Sequence, residues 1–438
     1  MNRREIAEEI FKAGIQSVLP EELISRVMTL EDNHLNICGR SFDLGTIQNI
    51  YVVGAGKASA SMAFGVENIL GSRITDGHIS VKHGYSCRLK YIKYTEAGHP
   101  VPDSHSFKAT LEIVNIVLKA NEKDLVICLL SGGGSSLLAD FPEGSSPKEM
   151  VIVNDLLVNS GAGIHEINAV RKHLSLVKGG HLAKYVYPAT LVTLILSDVP
   201  GDHLDVIASG PTTPDPTTFQ QALEVLANYN LTASVPSPIL NYLNEGVSGL
   251  RFETPKASDK IFDSAVNFLI GTNKLALEAA KQKAFGYNIN SVIIDDKLQG
   301  DNSSVAEYIV ETAINFKNDI NEVKPVCLLF GGETTLKMTG KGLGGRNQHL
   351  ALLCAVLLKD HTGITILSAG TDGTDGPTDV AGAVVDSDTI PDALLKYIEP
   401  AKYIREFDSY HFFKKAGGHI VTGPTMTNVM DIIVVIVD

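Results

Sequence analysis

Short continuous apolar runs alternate with amphipathic stretches of helical length along most of the chain. Residues 50–53 precede a helical stretch from about residue 58, residues 125–130 precede one from about residue 147, and residues 191–196 form a third run. Runs without polar alternation predict strands covered on both faces. Their alternation with helices predicts an α/β chain with a parallel sheet. Further strands are expected at 268–271, 291–294, 326–330, 364–367 and 432–437, and the polar, glycine-containing stretch 246–260 reads as a linker. Two α/β units follow, residues 1–250 and 261–438, with the final strand free to pack on either.

Composition narrows the function classes. A chain of 438 residues with 44% apolar content buries substantial cores. Its 50 acidic and 37 basic residues give a net charge of −13, and the basic residues are dispersed, which excludes a phosphate-tracking stripe and nucleic acid as a partner. No run approaches the roughly 18 apolar residues of a membrane helix. The opening MNRREIAEEIFKAG lacks the apolar core of a secretory signal, so no membrane association and a cytoplasmic location are expected. Cys38, Cys87, Cys128, Cys327 and Cys354 form no CxxC pair or zinc spacing and read as free thiols packed like small apolar groups.

Candidate chemistry gathers in glycine-rich turns at the ends of expected strands, where open α/β sheets place ligands. In VVGAGKAS, Gly54 and Gly56 allow close backbone approach to an anion and Lys57 adds a cation. The spacing is not that of a P-loop, and Ser59 stands where a dinucleotide fingerprint has its third glycine. Ser131, Gly132, Gly133, Gly134 and Ser135 offer a compact array of amides and hydroxyls for carboxylate or phosphate. In NAVRKHLSLVKGG, Arg171, Ser175 and Lys178 share one face if the stretch is helical. Asp198 follows a strand, where it is placed to accept a proton or hold Mg2+. The C-terminal half adds Glu333 in FGGETT, Arg346 and Asn347 in GLGGRNQ, and Asp372 and Asp375 in AGTDGTDGPT. An arginine on a glycine-rich loop suits bidentate anion contact, and the two aspartates suit either Mg2+ or consecutive turns. His99 and His203 read as turn or loop residues.

Taken in order, VVGAGKASASMA, EAGHPVPD, LLSGGGSSLL, NAVRKHLSLVKGG, SDVPGDHLDVIASGPT, FGGETTLKMTGKGLGGRNQHLAL, AGTDGTDGPTDVAGAVVD and TGPTMTNVMD make the chain resemble the glycerate 2-kinase family with its C-terminal MOFRL domain. The resemblance covers most of the chain. It implies a larger Rossmann-like N-terminal domain, a smaller α/β C-terminal domain, an active site in the cleft between them, and a requirement for ATP and a divalent cation such as Mg2+. The family's functional lysine and arginine fall on Lys57 and Arg346. Two departures stand out: His349 replaces the usual acidic residue after GGRNQ, and Gly418-His419 interrupt a more hydrophobic segment. The implied activity is phosphorylation of D-glycerate to 2-phosphoglycerate, by a monomer or homodimer. Lys57, Arg346 and Asp198 are the expected catalytic residues. Gly54, Gly56, Ser131 to Ser135, Arg171, Lys178, Glu333 and Asn347 are expected to bind substrate or nucleotide, and Asp372 and Asp375 the metal. Family members also carry the name hydroxypyruvate reductase, so an NAD(P)H-dependent reductase is the alternative, and a non-enzymatic anion-binding protein the third reading.

Overall fold

The computed structural model describes residues 2–438, which divide into two compact units, residues 20–270 and residues 2–19 with 271–438. The first is built on a six-stranded sheet. A small antiparallel sheet of β1 (Met28–Glu31), β2 (His34–Ile37) and β3 (Arg40–Asp43) precedes it. The main sheet holds β4 (Ile50–Ala55), β5 (Asp76–Lys82), β6 (Lys93–Ala97), β7 (Leu125–Leu130), β8 (Thr190–Leu196) and β9 (Ala265–Gly271) in the order β6-β5-β4-β7-β8-β9. The pairings from β6 through β8 are parallel, and the order is that of the doubly wound Rossmann-like sheet. β4 and β7 are buried at every position, as expected for strands covered by helices on both faces.

The other unit carries a mixed sheet of β10 (Asn290–Asp301), β11 (Val326–Thr335), β12 (Ile364–Gly370), β13 (Gly382–Asp386), β14 (His419–Ile420) and β15 (Asp431–Val437), in the order β10-β11-β15-β12-β13-β14. The final strand therefore packs in this unit, antiparallel between β11 and β12. Its seven residues are all buried, and each fully buried Ile or Val contributes about 1.5–3 kcal/mol.

The division differs from the expected 1–250 and 261–438 in three places. The N-terminal helix Arg3–Ser17 belongs with the C-terminal residues, because its apolar face (Ile6, Ile10, Phe11, Ile15) is buried there. Gly14 lets that helix approach closely: a Cβ would lie 3.1 Å from Ala276 O and 2.9 Å from Ile432 Cδ1. The strand expected to open the second unit is instead β9, at the edge of the parallel sheet, where the Leu191 amide donates to Ser264 O at 2.8 Å. The expected linker 246–260 folds onto the parallel-sheet unit. There Thr254 is buried and donates to Asp215 Oδ2 at 3.0 Å, while the Asp215 amide donates to Pro255 O at 2.9 Å.

Cys128, Cys327 and Cys354 are buried, and burial pushes each thiol up to about 12, which makes them inert packing groups; Cys38 and Cys87 are partly exposed. Among the described residues no helix is long and apolar enough to cross a membrane.

His349 is accommodated by packing. It lies in the helix Arg346–Leu358, 5% exposed, and stacks on Phe407 with centroids 5.0 Å apart and planes 10° from parallel. Burial lowers its pKa from 6.5 to about 4. Because the unfolded chain takes up this proton first, stability falls as pH drops from about 6.5 toward 4. His349→Phe keeps the stacked ring without the titration, so it should lose about 2 kcal/mol less than the wild type between pH 7 and pH 4.5. Urea unfolding followed by circular dichroism at both pH values measures this, and parallel losses would remove His349 as the cause.

Candidate active site

The strand order of the parallel sheet reverses between β4 and β7, and open α/β sheets bind ligands beyond the carboxyl ends of strands at such a point. Both N-terminal glycine-rich turns lie there. The turn after β4 leads into the helix Ser59–Leu70, and the turn after β7 into the short helix Gly134–Leu137. The two are bonded to each other. The Lys57 amide donates to Gly132 O at 2.9 Å, and the Ala58 amide to Ser131 Oγ at 3.0 Å. Side chains would prevent this approach: a Cβ on Gly54 would lie 2.1 Å from Leu129 O, and one on Gly56, at φ +141°, 2.0 Å from Ser131 Oγ. The Gly56 amide donates to Ser80 O in the neighbouring β5 and the Gly134 amide to Ser131 O in its own turn, so those expected anion donors already have backbone partners.

Beside this contact lies a cavity of about 320 Å3, with Val101, Pro102, Phe107 and Met150 on its apolar side and Ser135, Asp140, Arg171 and Lys178 among its polar lining. Arg171, Ser175 and Lys178 do meet there, although not on one helical face. The helix ends at His173 and the chain turns. Ser175 Oγ directs that turn, accepting from the amides of Val177 (3.2 Å) and Lys178 (3.0 Å) and donating to Asp140 Oδ1 at 2.7 Å. Lys178 Nζ lies 3.7 Å from Asp140 Oδ1 and donates to Leu138 O. Arg171 Nε donates to Asn154 Oδ1 at 2.8 Å. Burial lowers the pKa of both cations; the Arg171 charge lowers that of Lys178 further, against the opposing pull of Asp140. Asp155, the second carboxylate of the lining, is exposed, so the buried part of the cavity keeps two cations against Asp140 and favours an anionic ligand.

Lys57, half-buried, lies close enough to His99 to act on its titration. Burial first, then the charges of Lys57 and Lys82, hold the His99 pKa down at about 4, so the ring is neutral near pH 7. That ring covers Gly133, where a Cβ would sit 2.8 Å from its Nε2. Across the turn, Ser135 Oγ lies 2.7 Å from Ser209 Oγ, which donates to Asn168 Oδ1 at 3.0 Å. Ser209 sits in a left-handed run, Ala208 (φ +50°), Ser209 (φ +60°) and Gly210 (φ +61°), a strained backbone of the kind held at functional sites. Asp198 is half-buried just beyond β8.

In the mixed-sheet unit, Arg346 opens the helix Arg346–Leu358 and is clamped by two carboxylates. Its Nε and Nη2 meet Asp431 at 2.6 and 3.0 Å, and its Nη1 meets Glu333 at 2.5 Å. Burial pulls its pKa down, but Asp431 and then Glu333 outweigh that and hold the guanidinium charged. Asn347 is buried and tied inward, accepting from Ser368 Oγ at 2.7 Å. Asp375 is also buried, and its oxygens accept the amides of Asn347 (3.0 Å) and Gln348 (2.8 Å) and the Gln348 side-chain amide (3.0 Å), so it caps the helix. Asp372 accepts from the Thr374 amide at 3.0 Å and hydroxyl at 3.1 Å, in an Asx turn. Asp375 thus serves the start of the helix and Asp372 its own turn, which is the turn reading that the sequence left open beside the metal one.

Asp140, Ser209 and Asp431 were not among the sequence candidates. Each acts across a long separation: Asp140 on Ser175 and Lys178, Ser209 on Ser135, and Asp431 on Arg346. The one local signal was an acidic residue opening the last apolar strand, 431–437.

Residues 6–244 match the family described as "Domain of unknown function (DUF4147)" and residues 326–431 the MOFRL family. A glycerate 2-kinase of Pyrococcus horikoshii is 39% identical over 445 residues, covering 100% of this chain and 98% of its own. A D-glycerate 2-kinase of Thermotoga maritima is 39% identical over 434 residues, covering 98% and 97%. The crystal structure of a Thermotoga maritima glycerate kinase superimposes with a TM-score of 0.87 at 38% identity, covering 99% of each chain. With both domains present in order and glycerate 2-kinases matching at 39% identity over nearly their whole length, the chain belongs to the glycerate 2-kinase family of DUF4147–MOFRL proteins.

Proposed function

We propose that this protein transfers the γ-phosphoryl group of ATP to the 2-hydroxyl of D-glycerate, giving 2-phosphoglycerate and ADP. The observation that carries the reading is the polar end of the cavity, where Arg171, Lys178 and Ser135 converge beside the Lys57 turn at the carboxyl edge of the parallel sheet. Phosphoryl transfer asks mainly for positioning and charge stabilisation, which buried cations and fixed dipoles supply. In this reading Arg171 and Lys178 hold anionic oxygens, Lys57 faces the transferring group and Asp198 orients the acceptor hydroxyl. Arg346, fixed in direction by Asp431 and Glu333, presents its charge to substrate or phosphoryl oxygens. Asn347 and Asp375 are assigned to architecture. Mg2+ enters only as the companion of ATP, and a cytoplasmic location, where ATP is supplied, is part of the same reading.

The reductase alternative meets a physical obstacle. Dinucleotide enzymes lay the pyrophosphate on the helix N-terminus after the first strand. Here that terminus is capped from within by Ser131 Oγ on the Ala58 amide, and Ser59, buried where the third glycine would stand, reaches Leu129 O at 3.3 Å.

Incubation with D-glycerate, ATP and Mg2+, read by 31P NMR, should give 2-phosphoglycerate with one ADP per product, while hydroxypyruvate with NADH or NADPH should leave the nicotinamide absorbance unchanged. Nicotinamide oxidation without ATP turnover would overturn the assignment, and 3-phosphoglycerate would overturn the regiochemistry.

The two cations should separate under mutation. Lys57→Met should lower kcat on the order of 10³-fold, about 4 kcal/mol, with a near wild-type melting curve. Arg346→Ala should lose similar turnover but also melt lower, because it strands buried Asp431 at a cost of about 3 kcal/mol or more. Single-turnover phosphorylation at a temperature where circular dichroism shows each variant folded is the measurement, and wild-type rates in either variant would remove that residue from the chemistry.

A further inference from the structure

We propose that His83, Asp103 and His105 form a binding site for a transition-metal dication of the Zn2+ class. The three are separate from the residues assigned to phosphoryl transfer. His83 follows directly on β5, and its amide donates to Ala97 O at 3.2 Å, at the end of the neighbouring β6. Asp103 caps the helix Ser104–Val117, which carries His105 in its first turn.

The cap fixes the carboxylate. Asp103 Oδ1 accepts the amides of His105 (2.9 Å) and Ser106 (3.1 Å), which leaves Oδ2 toward both imidazoles, 2.9 Å from His83 Nε2 and 3.6 Å from His105 Nδ1. One ligand atom from each residue lies within 4.8 Å of the other two. A tetrahedral ion with bonds of about 2.0–2.2 Å needs ligand atoms about 3.3–3.5 Å apart. The present spacings bracket that value, and both histidine side chains are more than half exposed (54% and 57%), so modest ring rotations close the set.

The donor set names the ion class. Two imidazoles and a carboxylate leave a fourth position for water and suit Zn2+, Co2+ or Ni2+, whereas Mg2+ demands oxygen ligands in octahedral array. The amides on Asp103 Oδ1 are the outer support that such ligands commonly have. An ion there would also tie together both ends of the segment His99 to Pro102, which lines the cavity: His83 is bonded to the strand before the segment, and Asp103 follows it.

The test is titration of chelator-stripped full-length protein with Zn2+ against a chromophoric chelator, with Mg2+ as the control ion. The wild type should take up one competing Zn2+ per chain, unaffected by millimolar Mg2+. His83→Ala and His105→Ala should each bind it at least about tenfold more weakly while keeping the wild-type circular dichroism spectrum. Zn2+ should slow hydrogen exchange in residues 98–103 of the wild type and not of the variants. Asp103→Asn is a poorer probe because it removes a helix cap. Wild-type Zn2+ affinity in both variants, or no chelator-competitive uptake by the wild type, would overturn the site.

Discussion

The carboxyl ends of β4 and β7 meet without side chains between them, and the geometry of the candidate site depends on that contact. Gly54 against Leu129 O and Gly56 against Ser131 Oγ leave no room for a Cβ, since each would fall about 2 Å from its neighbour. Given that approach, Ser131 Oγ reaches the Ala58 amide, Gly132 O receives the Lys57 amide, and both turns become one hydrogen-bonded body. Lys57 is thereby set near His99, and His99 over Gly133. The helix start that dinucleotide folds leave open is capped from within, and a ligand-sized cavity lined by Ser135, Arg171 and Lys178 lies beside it.

The mixed-sheet unit solves a different problem, that of holding one arginine in one direction. A bidentate pair with buried Asp431 sets the plane of the guanidinium, and Glu333 takes a further N–H. Burial alone would weaken its charge, while the two carboxylates more than restore it. The helix that Arg346 opens is in turn anchored by Asp375 on its first free amides. Removing any member of this group acts on folding as well as on the arginine.

What the sequence made legible follows the same physics. β4 and β7 are readable as unbroken apolar runs, and β8 as one interrupted only by Thr193, because helices cover both faces of the sheet. β6 (KYTEA) carries polar residues at the sheet edge, and β5 (DGHISVK) mixes polar residues into a largely buried strand, so neither stood out. Helical spacing brought Arg171 and Lys178 together on paper, and a Ser175-directed turn does so in the fold. Asp375 among glycines reads equally as a metal ligand or a turn residue, and its bonding depends on the helix that carries Asn347, 28 residues earlier. The N-terminal helix showed its apolar face but not its partner, because local pattern carries no information about which distant core receives it.

The central claim is that the cavity at the carboxyl edge of the parallel sheet holds an anionic ligand of the reaction. Calorimetric titration of wild type, Arg171→Gln and Lys178→Gln with ADP and, separately, with D-glycerate tests it most directly. The account predicts that both variants, folded by circular dichroism, lose at least about tenfold in affinity, roughly 1.4 kcal/mol, for the same one of the two ligands. Wild-type affinity for both ligands in both variants would contradict it.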